Sequence, residues 1–352
     1  MRTPVRVRDR VRITQRIADS FACKAHLEMD VILPVAGLGT RLRPQTWSKP
    51  KPLVSLAGKT ILEHVLDRVL PTNPEKIVFI TGYLGRHIEA WARQNVRIPV
   101  EFVEQTEMRG QTDAIIRARD ISLKDGLILF PDMLFEADFS IIDRSDADVI
   151  MFTKEVDDPS ALGIAVVENG RIVKLIEKPQ TPVSKLAVIG IYYIRSMPAL
   201  YEAIDEQMAR GIKTKNEYFI ADAIQLMIDK GAKVIAAPVT LWEDCGNAES
   251  LLSTNRILLG RDEQRIETRG NSLIIHPSTV DDTAVLDRAI IGPFASVGEN
   301  CRIVDSLVSD SIIEEGATVE SSQLVGSIIG FGAHVRGRAA SINVGDVSTI
   351  FL

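Results

Sequence analysis

The sequence has few cysteines, few aromatic residues and no long apolar run, and each shortage excludes a class of protein. Its 352 residues include three cysteines, Cys23, Cys245 and Cys301, with no C-x-x-C spacing. Neither a disulfide framework nor a cysteine-based zinc site can be built from them. No stretch approaches the roughly eighteen consecutive apolar residues of a membrane span. We therefore expect a soluble protein of the reducing cytoplasm.

An excess of positive charge is also missing. Aromatic residues make up 5% of the chain, and 41 Lys and Arg residues stand against 47 Asp and Glu, for a formal net charge of −6. A nucleic-acid-binding protein normally presents a basic face with interleaved aromatic side chains, so we expect no nucleic-acid partner. At roughly 150 residues per domain, the length predicts two domains.

The first 28 residues differ in character from the rest. Arginine recurs at positions 2, 6, 8, 10, 12 and 16, without the apolar core of a signal peptide. Met29 stands immediately before an apolar run that has the character of a buried strand. We interpret residues 1–28 as a disordered leader or an over-extended start.

Between residues 29 and 260, short apolar runs alternate with amphipathic helical patterns. Strands are predicted at residues 30–34, 77–80, 100–103, 127–130, 149–152 and 234–236. Continuous apolar strands separated by amphipathic helices are typical of a mostly parallel sheet covered on both faces. The pattern predicts an α/β domain with a Rossmann-like, mostly parallel sheet, whose ligands gather at the carboxyl ends of the strands.

The period of the apolar residues changes beyond a charged segment, residues 260–270, which we interpret as a linker. Apolar residues then recur every six positions, at Val285, Ile291, Val297 and Ile303, at Ile313 and Val319, and at Ile329 and Val335. A six-residue period is the signature of a hexapeptide β-helix, with an ordinary β-sandwich as the alternative. We predict a short left-handed β-helix over residues 271–352.

A glycine-containing turn follows the first predicted strand. Gly37 and Gly39 let backbone amides approach a phosphate, and Thr40 and Arg41 can add a hydroxyl and a bidentate guanidinium. Leu42 stands where a dinucleotide-binding loop has its third glycine, and a Walker loop would need Gly-Lys-Ser/Thr. The turn therefore predicts a phosphate loop of another kind, with a tight strand-to-helix turn as the alternative.

A second motif gives this loop a family resemblance. The run from Gly37 to Thr46, followed by three residues and Pro50-Lys51-Pro52, resembles the signature of the sugar-phosphate nucleotidylyltransferases, or NDP-sugar pyrophosphorylases. That signature is Gly-x-Gly-Thr-Arg-Leu-x-Pro-x-Thr, three residues, then Pro-Lys-Pro. The resemblance implies that Arg41 holds the phosphates of a nucleoside triphosphate and that Lys51 stabilises charge on the reacting phosphates.

Two further segments resemble the substrate-binding parts of the family. Gln105, five residues before Gly110, looks like the reader of a pyrimidine base. Glu177-Lys178-Pro179 matches a motif whose glutamate accepts sugar hydroxyls and whose lysine binds the sugar phosphate; on its own it would be a surface ion pair. The resemblance assigns nucleotide binding to Ala36, Gly37, Gly39, Thr40, Arg41, Gln105 and Gly110. It assigns sugar-phosphate binding to Gly163, Glu177, Lys178 and Gly190.

Two aspartates at strand ends are candidate metal ligands. Asp132 follows the strand predicted at residues 127–130, and Asp244 follows another apolar strand. Two carboxylates that converge from different strands can hold one Mg²⁺ together with substrate phosphates, whereas each alone is more often a cap or turn residue. Pro131 replaces the usual glycine of the family, and Cys245 replaces a more usual threonine.

The resemblance extends to the carboxyl terminus, where Asn343 to Thr349 after the predicted coils is similar to long-form glucose-1-phosphate thymidylyltransferases. It implies that a sugar 1-phosphate, glucose 1-phosphate by the family relationship, attacks the α-phosphorus of dTTP or UTP and releases pyrophosphate. Catalysis would rest on Arg41, Lys51, Lys178 and Mg²⁺, in a homo-oligomer. A non-catalytic regulatory or scaffold homologue, and a bifunctional enzyme with an acyltransferase β-helix, stay open as alternatives.

Overall fold

The computed structural model describes residues 29–181, 183–337 and 342–351. The predicted leader, residues 1–28, lies outside the described residues. Within the described ranges, none of the helices combines the length and the apolar character that a membrane crossing requires. An α/β unit comes first in the chain, and a β-helix follows it.

A ten-stranded sheet with flanking helices, together with a separate two-stranded sheet, forms the α/β unit. Its strands are β1 (Met29–Pro34), β2 (Ser55–Leu56), β3 (Lys59–Thr60), β4 (Lys76–Thr81), β5 (Val100–Glu104), β6 (Asp125–Leu129), β7 (Met133–Ala137), β8 (Val149–Glu155), β9 (Gly163–Glu168), β10 (Arg171–Glu177), β11 (Leu186–Ile194) and β12 (Val234–Asp244). Its helices are α1 (Ile61–Val69), α2 (Gly85–Asn95), α3 (Gln111–Ile115), α4 (Ile141–Arg144), α5 (Met197–Ala209), α6 (Ile220–Asp229) and α7 (Ala248–Leu259). Short 3-10 turns lie at Thr40–Leu42, Lys51–Leu53, Leu70–Thr72 and Ile116–Ala118.

The main sheet has the strand order β5-β4-β1-β6-β11-β8-β12-β7, with β9 and β10 attached beside β11. The run β5-β4-β1-β6 is parallel, and so is the pair β8-β12, which confirms the predicted parallel core. β11 runs antiparallel to β6 and β8, and β7 runs antiparallel to β12. The whole sheet is therefore mixed, because an apolar run reports burial of a strand and not its direction.

Helix α1 shows how the local sequence builds the α/β unit. The side chain of Thr60 accepts a hydrogen bond from the amide of Glu63 at 3.1 Å, and the Glu63 carboxylate accepts one from the amide of Thr60 at 2.6 Å. This capping box satisfies two amides at the start of the helix. The predicted apolar face is buried: Leu62, Val65, Leu66 and Val69 pack in the core of the sheet, and Ile61 joins an apolar cluster shared with the β-helix.

The carboxyl-terminal strands form three parallel ladders, which confirms the predicted β-helix. The ladders are β14 (Ser272–Ile275), β17 (Ile290–Ile291), β20 (Leu307–Ser309) and β23 (Gln323–Val325); β15 (Thr279–Val280), β18 (Ser296–Val297), β21 (Ile312–Ile313), β24 (Ile328–Ile329) and β26 (Asn343–Val344); and β16 (Val285–Asp287), β19 (Arg302–Val304), β22 (Thr318–Glu320), β25 (His334–Arg336) and β27 (Thr349–Phe351). β13 (Ile266–Arg269) pairs antiparallel with β14, so a strand occupies part of the predicted linker.

Inward side chains stack from coil to coil along each ladder, as in the register that places Ile291 beside Val308. The predicted six-residue period is wrong at one position, where it selects a residue that does not face the core. Val285 is 52% exposed, and its neighbour Leu286 packs against the core of the β-helix instead. Successive strands of one coil are joined by turns of unequal length, so a strict period of six cannot be kept along the whole chain.

The β-helix packs on the α/β unit through a buried polar contact. The side chain of Glu314 is 2% exposed, and it accepts hydrogen bonds from Nζ of Lys49 at 2.6 Å and from the amide and Oγ of Ser55 at 2.8 and 2.9 Å. Around this contact lies an apolar cluster drawn from both units. Its buried members are Leu42, Val54, Leu56, Ile61, Cys245, Leu251, Ile312 and Ile328.

Replacing Glu314 tests this contact. Glu314→Ala leaves the ammonium of Lys49 and the polar groups of Ser55 without their acceptor, so we expect the free energy of unfolding to fall by about 2–4 kcal/mol. The neighbouring Glu315 is exposed, and Glu315→Ala should change stability by less than about 0.5 kcal/mol. Urea denaturation measures the free energy of unfolding of both variants. Equal decreases in the two would contradict the expectation that Glu314 stabilises the contact between the units.

Candidate active site

A cavity of ≈ 340 Å³ opens where β1 and β6 end. Ligands of open α/β sheets bind at this edge, beyond the carboxyl ends of parallel strands. Among the residues that the resemblance selects, the cavity is lined by Ala36, Gly37, Gly39, Thr40, Arg41, Lys51, Gln105, Gly110 and Asp132. The structure therefore brings the phosphate loop, the lysine motif and the predicted base reader to one wall.

The glycine turn is held in a shape that requires glycine. Gly39 has a φ of 61°, in the left-handed region, and a Cβ added there would lie 3.1 Å from the Cγ2 of Thr46 and 3.3 Å from the Cβ of Lys51. The hydroxyl of Thr46 donates to the carbonyl of Gly39 at 2.7 Å. The two motifs of the signature thus pack on each other, because Gly39 of the first motif lies against Lys51 of the second.

Lys51 is positioned inside the cavity by its neighbours. It begins a 3-10 turn between two prolines, Pro50 and Pro52, which fix the backbone direction. Its side chain is 11% exposed, and its Nζ lies 3.0 Å from Oδ2 of Asp132. A mostly buried ammonium and a half-exposed carboxylate therefore meet at the edge of the cavity.

Asp244 reaches the same edge from β12. In the pairing of β12 with β7, Asp244 lies opposite Met133, and the amide of Cys245 donates to the carbonyl of Asp132 at 3.0 Å. A Cβ added to Gly246 would lie 2.7 Å from both carboxylate oxygens of Asp244 and 2.9 Å from Nη2 of Arg41. Gly246 lines the cavity, so Asp244 and Arg41 flank its wall.

The two aspartates suit a divalent cation that shares its ligands with a substrate. Within the described residues, no three side chains of His, Cys, Asp or Glu converge in the way that a metal cage built by protein alone would need. Mg²⁺ is usually held by one or two carboxylates, with phosphate oxygens and water completing its octahedron. The oxygens of Asp132 and Asp244 supply that kind of donor set.

Two residues that depart from the family pattern lie beside this edge. Pro131 lines the cavity directly. Cys245 is fully buried, and burial raises the pKa of its thiol to about 12, although Lys51 acts in the opposite direction. The thiol is therefore protonated at neutral pH and is a packing group between the two aspartates, not a nucleophile.

The residues of the predicted sugar-phosphate site lie outside the lining of the cavity, and one of them, Gly190, forms a hydrogen bond with a residue of its wall. A Cβ on Gly163 would lie 2.7 Å from Oε2 of Glu177, so the backbone of Gly163 lies close to that carboxylate. The carbonyl of Gly190 accepts a hydrogen bond at 3.1 Å from the amide of Phe130, a residue of the cavity wall. Lys178 lies 3.7 Å from Glu177 and 4.6 Å from the ring centre of Phe219. Burial raises the pKa of Glu177, and Lys178 partly offsets it.

Sequence reasoning missed several residues of the wall. They are Met108, Gln111, Phe130, Glu217 and Gly246. A glycine directly after Asp-Cys could have indicated Gly246, since a turn that must leave room for a ligand favours glycine. Glu217 carried no such signal, because it lies in a segment without periodicity, which the fold brings to the cavity by pairing Gly110 with Tyr218.

The fold and the cavity define a class: an α/β protein that binds a nucleotide at the carboxyl edge of a parallel sheet. Residues 30–260 match the family model described as Nucleotidyl transferase, and the chain belongs to that family. This confirms the resemblance and makes the protein a transferase. The family assignment covers the α/β unit and ends where the charged segment before the β-helix begins.

Curated relatives match most of the chain. The chain is 29% identical over 339 residues to a glucose-1-phosphate thymidylyltransferase of Streptomyces antibioticus, and the aligned region covers 87% of this chain and 93% of the relative. It is 31% identical over 230 residues to the UTP–glucose-1-phosphate uridylyltransferase AglF of Haloferax volcanii, covering 63% and 93%. A UDP-glucose pyrophosphorylase solved with UDP-glucose shares the fold, at a TM-score of 0.58 and 22% identity over 66% of this chain and 99% of that one.

Gly246→Ala tests whether the spacing of the charged groups matters. The added methyl would meet the ends of the Asp244 and Arg41 side chains, which can move aside without disturbing the backbone. We therefore expect stability to change by less than about 1 kcal/mol while turnover falls at least about tenfold, because misplaced catalytic groups lose rate steeply. Thermal melting and steady-state kinetics give the two readouts; full turnover in the folded variant would contradict the assignment of this wall.

Proposed function

We propose that the protein transfers a nucleotidyl group from UTP or dTTP to a sugar 1-phosphate, with glucose 1-phosphate as the sugar substrate, and releases pyrophosphate. One observation carries the proposal: a single cavity joins the glycine loop, Lys51, Gln105 and Asp132, and the carboxylate of Asp244 lies beside its wall at Gly246. The names of the curated relatives give the same substrate class. A binding protein without catalysis would not need paired cations and carboxylates around the phosphate loop.

The base reader favours a pyrimidine with an N–H at its edge. Gln105 is buried at the cavity wall, and its amide nitrogen donates to the carbonyl of Gly110 at 3.2 Å and to Oδ2 of Asp113 at 3.0 Å. With both amide hydrogens engaged, the side-chain carbonyl is left as the group that can meet a base. A carbonyl accepts from the N3–H of uracil or thymine, so UTP and dTTP fit this wall.

The phosphates bind between the glycine loop and the charged edge. Amides around Gly37 and Gly39, with the Thr40 hydroxyl and the Arg41 guanidinium, cradle the triphosphate. A sugar-phosphate oxygen then attacks the α-phosphorus in line, the bond to the β-phosphate oxygen breaks, and pyrophosphate leaves. Both reactants are anions, so Arg41 and Lys51 act by neutralising and aligning them.

Asp132 and Asp244 would hold Mg²⁺ against the phosphates. The ion, when bound, supplies Lewis-acid neutralisation of the phosphate oxygens. The sugar phosphate approaches from the adjoining side, where Glu177 accepts hydroxyl groups of the sugar and Lys178 binds its phosphate. Phe130 lines the nucleotide cavity, and its ring centre lies 6.4 Å from that of Tyr192.

In this proposal the β-helix serves assembly and support of the lysine motif. In the β-helix, Nε2 of His334 lies 3.5 Å from Oε2 of Glu320 on the neighbouring coil. Nothing in that contact favours acyl transfer as a second function. The predicted homo-oligomer remains a proposal that light scattering on the intact chain can test.

Substitution of the two paired residues tests the reaction directly. Lys51→Ala and Asp132→Asn are each expected to lower turnover at least about a hundredfold, because each removes a charge that neutralises or holds the reacting phosphates. Pyrophosphate release is measured across a matrix of NTPs and sugar 1-phosphates with Mg²⁺. Lys59→Ala is the matched control, since Lys59 pairs with Asp67 on the surface; near-normal rates in the two site variants would contradict the proposal.

The metal proposal has a separate test. Chelation of divalent cations with EDTA is expected to abolish pyrophosphate release, and Mg²⁺ should restore it. Asp244→Asn should raise the Mg²⁺ concentration needed for half-maximal rate at least about tenfold, since it removes one of two carboxylate ligands. An unchanged Mg²⁺ requirement in that variant would show that Asp244 is not a ligand.

A further inference from the structure

A buried carboxylate lies directly behind the predicted base reader. The side chain of Asp113 is fully buried, and its two oxygens have different partners. Oδ1 accepts from Nη2 of Arg109 at 2.7 Å and from Nη2 of Arg117 at 3.2 Å, whereas Oδ2 accepts from the amide nitrogen of Gln105 at 3.0 Å. The arginines neutralise the charge, and the second oxygen is committed to Gln105.

This arrangement removes a choice that a glutamine normally has. A glutamine amide can present either its NH₂ or its carbonyl to a ligand, but an ionised carboxylate can only accept hydrogen bonds. Asp113 therefore forces the NH₂ of Gln105 away from the base, and the carbonyl of Gly110 takes its second hydrogen at 3.2 Å. Within the part of the chain that the structure describes, no group donates to the side-chain carbonyl of Gln105.

We propose that Asp113 is a positioning residue that sets the hydrogen-bond polarity of Gln105 and thereby selects uracil or thymine over cytosine. N3 of uracil and thymine carries a hydrogen, whereas N3 of cytosine is an acceptor and would face the Gln105 carbonyl without a donor. A site that leaves a buried polar group unpaired rejects the wrong ligand strongly. The inference rests on the proposed function in one respect, namely that a nucleoside triphosphate occupies the cavity.

Asp113→Asn inverts this polarity with a nearly isosteric side chain. The Asn carbonyl stays with Arg109 and Arg117, because both arginines can only donate. Its NH₂ then faces Gln105, whose amide has to rotate to offer its carbonyl and in doing so exchanges its hydrogen bond to Gly110 for the one from the NH₂ of the introduced asparagine. The rotated Gln105 presents NH₂ to the cavity, which suits the N3 acceptor of cytosine.

The experiment compares UTP with CTP, which share the ribose and the triphosphate. The ratio of kcat/KM for UTP to that for CTP is measured with glucose 1-phosphate by pyrophosphate release, and the ratio of the two Kd values is measured by calorimetry. We expect the wild-type protein to favour UTP and Asp113→Asn to lower both ratios at least about tenfold. Arg117→Gln is the matched control: it removes one partner of Oδ1, leaves the Gln105 contact in place, and should keep the wild-type ratios.

Asp113→Ala is the second variant, because alanine adds no polar group to the buried site and favours the helix. It leaves the carbonyl of Gly110 as the remaining acceptor for the Gln105 NH₂, so the ratios should fall in it as well, but less than in Asp113→Asn. Ratios that stay at the wild-type value in a folded variant would overturn the inference, even where both rates drop, since a merely structural role lowers both rates together. A wild-type protein that binds UTP over CTP but releases no pyrophosphate would overturn the proposed function and leave the inference standing.

Discussion

The contact of Glu314 with Lys49 and Ser55 is the constraint on which the site depends. These two partners stand on either side of the Lys51 turn, so a carboxylate of the β-helix fixes both ends of the segment that carries the lysine. A buried carboxylate is tolerated only when its oxygens are well satisfied, and three donors meet that need here. The second unit is thus part of the support of the active-site wall and not an appendage to it.

The apolar surface around this contact also joins the two units next to the site. Leu42 comes directly after Thr40 and Arg41, and it is buried in the cluster that Ile312 and Ile328 of the β-helix complete. The phosphate loop therefore has the sheet on one side and the β-helix on the other. Asn255 adds a polar anchor nearby, because its Oδ1 accepts from the amide of Ala57 at 2.9 Å and from Ser296 at 2.7 Å. Order in the glycine loop is consequently a property of both units together.

The sequence predicted what depends on local pattern and missed what depends on distant pairing. The parallel core followed from apolar runs, and the cavity-lining loops followed from two dense motifs. β11 was missed although its residues are almost all apolar. The strands β9 and β10 were missed because their residues are only partly apolar and their burial comes from pairing with each other and with β11. Asp113 was missed for a related reason: its spacing of four from Arg109 and Arg117 indicates an ordinary helical ion pair, and only the fold places Gln105 against its second oxygen.

The charges of the cavity explain why our proposal needs a metal as well as the cations of the chain. Lys51 pairs with Asp132, and Arg41 lies with Asp244 around Gly246, so each cation assigned to phosphate already has a carboxylate beside it. Two cations and two carboxylates leave little net positive charge to meet a triphosphate and a sugar phosphate. A divalent ion held by the carboxylates would reverse that balance, because it would occupy the oxygens that otherwise neutralise Lys51 and Arg41 and would leave both side chains to meet phosphate. In the proposed site the aspartates would serve the lysine and the arginine as much as the metal.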